Sequence, residues 1–292
     1  MSQAVPNSAR MPQDTPLIRF GVIADPQYAD IEPWLETDRY YRNSLAKLRD
    51  AIGVLNEEDL AFVVTLGDLI DRGAESLAPV LEIYGALRHE SVLLPGNHDF
   101  SVAPEHLGEV HRRLGMPAPW HEFLRGGIRF VIIDGSEVSL FSTPEGDPRH
   151  ALAVERLRAL EQAGAINAMP WNGGMSEEQH AWLEDALARA KVAGEPVVVM
   201  GHYPLYPENQ HNQWNCERLV ALFDRSGNVL AYLNGHNHEG NLGRHGSTWY
   251  VNFKGMVDTE HDNTFATVAI FADRIEITGH GREESRSLPL KP

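Results

Sequence analysis

Cysteine is almost missing from this chain of 292 residues: Cys216 is the only one, so no disulfide can form within a single copy. A lone thiol fits a reducing compartment. No apolar run approaches the roughly 18 residues needed to cross a bilayer. The opening residues MSQAVPNSARMPQDTP contain nothing like the apolar stretch of a secretion signal. Positive charge is scarce as well. Lys and Arg number 25 against 41 Asp and Glu, which leaves a net charge of −16. Such a chain repels nucleic acid and anionic membranes at long range, and neither is expected as a partner. Glycine and proline, at 25 and 18, are near average use, which excludes collagen-like and low-complexity architectures. The expectation is a cytoplasmic globular protein, with 1–16 as a disordered tail and 17–292 as one domain.

The remaining sequence alternates short apolar runs with longer amphipathic stretches. LIRFGVIA (17–24) reads as a buried strand, and AFVVTL (61–66), SVLL (91–94), RFVII (129–133), PVVVM (196–200) and VLAYL (229–233) read as further strands. Between them, 39–55, 75–87, 151–163, a stretch opened by Ser176 and 216–223 read as helices. In the first of these Tyr41, Leu45, Leu48, Ile52 and Leu55 recur three or four apart. Ser176 and Gln179 have capping-box spacing. The C-terminal part changes character, with 248–253, 264–271 and 274–278 read as consecutive strands joined by turns. An α/β layered fold with a partly antiparallel portion follows.

Five of the strands run into polar clusters: Asp25-Pro26-Gln27, Gly67-Asp68-Leu69-Ile70-Asp71-Arg72, Gly96-Asn97-His98-Asp99, Gly201-His202 and Gly235-His236-Asn237-His238. Each is ordinary when taken alone: Asp or Asn beside Gly is turn chemistry, and a histidine on a surface strand needs no function. Chance is a poor account of all five in this order, each behind an apolar strand, because ligands of α/β sheets collect at the carboxyl ends of strands. Together the clusters offer oxygen and imidazole donors without thiolate, which suits Mn²⁺, Fe²⁺, Zn²⁺ or Mg²⁺. The donors outnumber the needs of one ion. Two ions about 4 Å apart can clamp a phosphoryl group and share a nucleophilic hydroxide, and Asp68 is the natural bridging carboxylate.

These motifs resemble those of the calcineurin-like metallophosphoesterase superfamily, D-x-H, G-D-x-x-D, G-N-H-[D/E], G-H and G-H-x-H, from Ile18 to about His238. The resemblance implies a four-layer sandwich of two mixed β-sheets flanked by helices. It implies one metal held by Asp25, Gln27, Asp68 and His238, and a second held by Asp68, Asn97, His202 and His236. It also implies that His98, oriented by Asp71, binds no metal and instead protonates the leaving oxygen or stabilises the transition state. Gln27 stands where most of the superfamily has His, and its harder amide oxygen tilts the choice toward Mn²⁺ or Mg²⁺ and away from Zn²⁺. D-x-Q is a feature of the manganese-dependent ADP-ribose/CDP-alcohol diphosphatase branch. GVIADPQYAD, RYYRNSL, WNGGMSEEQHAWL, HYPLYP and NFKGMVDT are similar to that branch too, though Asp99 replaces its frequent Glu. The implied substrates are small phosphoanhydrides such as ADP-ribose and CDP-choline.

Arg72, Asn172, Tyr203, Tyr206, His211, Trp214 and Lys254 lie in or near these loops as candidate substrate contacts. For Tyr203, Tyr206 and Trp214, stacking on a nucleobase and packing of the loop are both open; for Arg72, so are a phosphate contact and a structural pair. Two other activities fit the same motifs: a cyclic-nucleotide or other phosphodiesterase, and a phosphomonoesterase. A catalytically dead scaffold would be expected to have lost ligands, and here all of them are present.

Overall fold

The six apolar runs expected as strands all form strands, and they fall into two sheets. The computed structural model describes residues 15–290; the expected tail, 1–16, lies almost wholly outside them. In chain order the strands are β1 (Ile18–Ile23), β2 (Phe62–Leu66), β3 (Glu90–Leu94), β4 (His121–Arg125), β5 (Ile128–Ile132), β6 (Val197–Met200), β7 (Val229–Asn234), β8 (Asn241–His245), β9 (Thr248–Asn252), β10 (Thr264–Ile270), β11 (Arg274–Gly281) and β12 (Arg286–Pro289). The helices are α1 (Ser44–Asn56), α2 (Leu77–Tyr84), α3 (Val110–Arg113), α4 (Pro148–Ala163), α5 (Glu177–Ala193) and α6 (Cys216–Ser226).

One sheet has the order β12-β11-β10-β1-β2-β3 and the other β4-β5-β6-β7-β9-β8. Both are mixed: in the first, β1, β2 and β3 run parallel at one end and β10, β11 and β12 continue antiparallel from β1; the second is parallel in the middle, from β5 to β9, and antiparallel at its flanks, where β4 and β8 pair. Of the three consecutive strands expected near the C-terminus, β10 and β11 pair antiparallel across a short turn as expected, but the strand before them belongs to the other sheet. β9 lies in the second and β10 in the first, and 253–263 crosses between them rather than making a turn.

Residue alternation explains the layering. Phe20, Val22, Phe62 and Val64 face Phe130, Val198, Leu233 and Val251 in the core between the sheets. Ile23, Val63 and Leu93 turn outward to pack under Leu48, Leu55, Val80 and Ile83 of α1 and α2. On the far side Val131, Val199 and Tyr232 pack under Leu183, Leu187, Leu219 and Phe223 of α5 and α6. The result is four layers, helix–sheet–sheet–helix. Phe20 stacks on Phe62 at 4.9 Å, with Phe130 edge-on to both at 5.5 and 5.1 Å, a geometry favoured by the ring quadrupoles. Ser176 caps α5 as its spacing predicts, accepting from the Gln179 N–H at 3.1 Å. Among the described residues no helix is long and apolar enough to cross a membrane.

This topology positions the motifs. β1, β2 and β3 run parallel in one sheet and β6 and β7 in the other. The five polar clusters leave the carboxyl ends of these strands, so the site spans both sheets.

Candidate metal centre

Asp25, Gln27, Asp68 and His236 all adopt left-handed backbone conformations, with φ of 49°, 45°, 52° and 70°. Non-glycine residues enter this region at a cost, and such residues gather at functional sites. The turns swing these side chains off the strand ends into one buried cluster. Two triads emerge, Asp68–His202–His236 and Asp25–Asp68–His238, each with ligand atoms within 4.8 Å of one another. Asp68 belongs to both.

Neighbouring groups fix the donors. The His202 Nδ1 lies 2.8 Å from the Leu66 carbonyl, so Nδ1 carries the proton and Nε2 faces the cluster, 3.4 Å from Asp68 Oδ2 and 3.2 Å from Asn97 Oδ1. His236 lies between His202 Nε2, 3.1 Å from its Nδ1, and Asn172 Oδ1, 3.0 Å from its Nε2. The Asp25 carboxylate accepts the His236 N–H at 3.1 and 3.2 Å, and Asp68 Oδ1 accepts the His98 N–H at 2.8 Å. Gln27 Nε2 donates to Asp68 Oδ2 at 2.9 Å, which leaves Gln27 Oε1 buried and without a partner. An orphaned oxygen inside a carboxylate and imidazole cluster is a donor suited to a cation, and the set as a whole fits a pair of divalent ions. Glycine makes the room: a Cβ on Gly96 would lie 2.2 Å from Asp68 Oδ1, and one on Gly235 2.5 Å from Asp25 Oδ2.

The electrostatics follow from burial and charge. Burial pushes the Asp25 carboxyl up to about 6 against the pull of His238 and His202. Burial also resists ionisation of Asp68, but His202 and His98 outweigh it and hold that carboxyl well below its ordinary range. His202 is pushed up to about 9, because Asp68 and Asp25 overcome the cost of burying its charge. Burial and then the His202 charge drive His236 far down. His98 sits at the cluster's edge, its Nδ1 3.1 Å from Asp71 Oδ1 and 3.2 Å from the Asp71 carbonyl. Burial opposes its imidazolium, yet Asp68 and Asp71 raise it above an ordinary histidine. Arg72 Nε donates to Asp71 Oδ2 at 2.5 Å, while its side chain is 60% exposed.

A cavity of about 580 Å³ opens beside the cluster, lined in part by Arg39, Ile166, His211, His236, His238 and Asp258. The structure places several of the candidate substrate contacts away from this cavity. Tyr203 and Trp214 are fully buried, so neither ring is open to a nucleobase. Tyr203 packs edge-on against His202 and His236 at 4.9 and 4.7 Å, and its hydroxyl meets Ser136 Oγ at 2.9 Å. Asn172, also buried, faces His236 rather than the cavity. Tyr206 lines a different groove with Cys216 and His245. Lys254 pairs with Glu284 at 3.6 Å. Two carboxylates left without a role by the sequence hold the site's turns and imidazoles in place. Asp258 lies 2.8 Å from His238 Nδ1, and its one sequence signal is its place in NFKGMVDT. Asp99 accepts the N–H groups of Ile70 and Gly96 at 3.1 and 2.9 Å, tying the Asp68 turn to the Asn97 turn.

The family model described as calcineurin-like phosphoesterase matches residues 18–240, the stretch that holds all five clusters. The chain belongs to this family. A metal-dependent phosphoesterase is thus the enzyme class of the fold and of its donor cluster. The chain is 28% identical to the protein from Homo sapiens named manganese-dependent ADP-ribose/CDP-alcohol diphosphatase, over 94% of this chain and 93% of that one. It is 30% identical to the protein of that name from Arabidopsis thaliana, over 77% of this chain and 81% of the other. Among solved structures it resembles a dimetal phosphatase from Danio rerio with a TM-score of 0.85 and 28% identity, covering 95% of this chain and all of that one.

Proposed function

We propose that this phosphoesterase hydrolyses the phosphoanhydride of nucleoside diphosphate derivatives such as ADP-ribose and CDP-alcohols, with two manganese ions. The observation that carries the reading is the sharing of Asp68 between two donor triads. The names of the relatives support the substrate class and the metal, and the amide oxygen of Gln27 favours the same metal. In this reading Asp25, Gln27, Asp68 and His238 hold one cation, and Asp68, Asn97, His202 and His236 the other. Bound there, the cations supply Lewis acidity toward the phosphoryl oxygens and a water acidic enough to attack at neutral pH.

The protein's own groups do the rest. Asp71 takes up the Nδ1 side of His98, which leaves Nε2 to hand a proton to the departing phosphate oxygen. The cavity of about 580 Å³ falls within the range of sites for drug-sized ligands. His211 lines it, and its ring stands edge-on to His236 at 5.3 Å, so His211 is the retained candidate for a substrate contact. Arg72, bound to the acid's partner and otherwise open to solvent, is read as a structural pair. Water adds across the anhydride, so ADP-ribose gives AMP and ribose 5-phosphate, and CDP-choline gives CMP and phosphocholine.

The test is product analysis with Mn²⁺ on ADP-ribose, CDP-choline, a cyclic nucleotide and a nitrophenyl phosphate. Turnover of the first two with these products is expected. Turnover confined to the last two rejects the diphosphatase reading in favour of a phosphodiesterase or phosphomonoesterase on the same core. No turnover of any, with metal bound, leaves a dead scaffold.

A further inference from the structure

The segment between β9 and β10 is tied down far more heavily than a connection between sheets requires. The Met256 N–H donates to the Ala24 carbonyl at 2.9 Å and the Val257 N–H to the Asp25 carbonyl at 3.0 Å, pairing the segment with the chain just past β1. Lys47, only 4% exposed on α1, gathers the carbonyls of Met256, Asp258 and Thr259 at 3.0, 2.7 and 2.6 Å. A buried ammonium spending all three donors on one short stretch of backbone fixes its path. Arg282 adds bonds to the carbonyls of Gly255 and Asp258.

This tethered stretch carries the Asp258 carboxylate, whose Oδ1 lies 2.8 Å from His238 Nδ1. An ionised carboxylate only accepts, so Nδ1 holds the proton and Nε2 keeps the lone pair. Nε2 points into the cluster, 3.7 Å from Asp25 Oδ1 and 3.2 Å from Gln27 Nε2. Gly255 lets the ring lie flat against the segment, since a Cβ there would come within 2.5 Å of His238 Cγ. His202 is oriented by a neutral backbone carbonyl; His238 differs in having a charged partner, which strengthens Nε2 as a donor as well as aiming it.

We propose that Asp258 is a positioning residue of the metal centre, fixing the tautomer and orientation of His238 so that Nε2 meets a divalent cation, with Lys47 anchoring Asp258 in turn. The inference rests on the assignment of His238 as a ligand. Loss of such an outer partner lowers metal affinity by about 10–100-fold.

The experiment compares Asp258→Ala, Asp258→Asn and His238→Ala with the unaltered chain. Free Mn²⁺ is followed by electron paramagnetic resonance during titration, and the imidazole nitrogens by NMR in metal-free protein. For Asp258→Ala, one ion should bind about 10–100-fold more weakly and the other as before, with the His238 signals moving to a mixture of tautomers. Asp258→Asn keeps an acceptor oxygen, so it should restore the single tautomer and recover part of the affinity. Unchanged affinity and tautomer in Asp258→Ala, beside loss of one ion in His238→Ala, overturns the role of Asp258 alone. If His238→Ala binds both ions normally, the ligand assignment itself falls, and this inference with it.

Discussion

Replacing His98 with alanine tests its proposed role as proton donor. The imidazole is held through Nδ1 by Asp71 at 3.1 Å and touches none of the paired donor triads through its ring, so both ions should remain bound. An unperturbed histidine is about one-quarter protonated at pH 7; Asp68 and Asp71 lift His98 above that and keep more of the acid loaded. General acid catalysis is worth about 10²–10⁴ in rate, or about 3–5 kcal/mol of barrier. The share lost depends on how much the leaving oxygen needs the proton. A phosphate ester leaving from an anhydride has a conjugate acid of pKa near ~6 and needs it little. An alkoxide needs it most. His98→Ala should therefore cost about 10² on ADP-ribose and approach about 10⁴ on an alkyl ester of a nucleoside monophosphate. The assay is kcat across a graded series of aryl and alkyl esters with the same nucleotide. Its logarithm should fall more steeply with leaving-group pKa in the variant. An equal loss along the whole series refutes the assignment of His98 as acid.

Asp71→Asn removes the carboxylate that raises His98. The donor is active when protonated, so the fall of kcat at high pH should move to lower pH, and an unmoved limb counts against the pair. Asp68→Asn removes the charge shared by both triads; inductively coupled plasma analysis after dialysis should find most metal gone and turnover nearly abolished. Gly96→Ala changes no ligand, but its Cβ would sit 2.2 Å from Asp68 Oδ1, so ion stoichiometry should drop while the fold survives at a cost of about 1–3 kcal/mol. His180, 4% exposed, is pushed down to about 4 by burial and then by the Arg218 charge, against about 6.5 in an unfolded chain. Between those values the unfolded state binds more protons, so stability falls as pH drops, by about 2 kcal/mol from pH 7 to pH 5. Urea denaturation of His180→Gln at the two pH values should show a smaller decline than the unaltered chain; an equal decline refutes it.

The parallel strands were legible because burial on both faces makes them continuous apolar runs, as in VLAYL and PVVVM. The candidate ligands were legible because each cluster follows such a run, four of the five opening on a glycine. β4 and β8 were missed although Gly126-Gly127 and Gly246-Ser247 stand just before β5 and β9 as two-residue hairpin turns. β4 ends its hairpin on HEFLR, whose charged residues mask the period. β12 is four residues of an edge, too short for any period to show. For Tyr203 and Trp214 the sequence left stacking on a nucleobase and packing of the loop open, and the structure shows packing. Their burial is set by Ser136 and α4, distant segments that no local pattern reports. The partners of His236 and His238, Asn172 and Asp258, were hidden for the same reason: they come 64 residues before and 20 residues after the histidines they hold.

The left-handed corners at Asp25, Gln27, Asp68 and His236 set catalysis against endurance. At about 1–3 kcal/mol each, they rival the whole margin by which a domain of ordinary stability stays folded. Glycine at any of them would relax the backbone and delete a donor in the same stroke. Selection for heat tolerance alone would therefore dismantle this enzyme from its centre outward, and a hardy but inert descendant should betray its origin by glycines at these four turns.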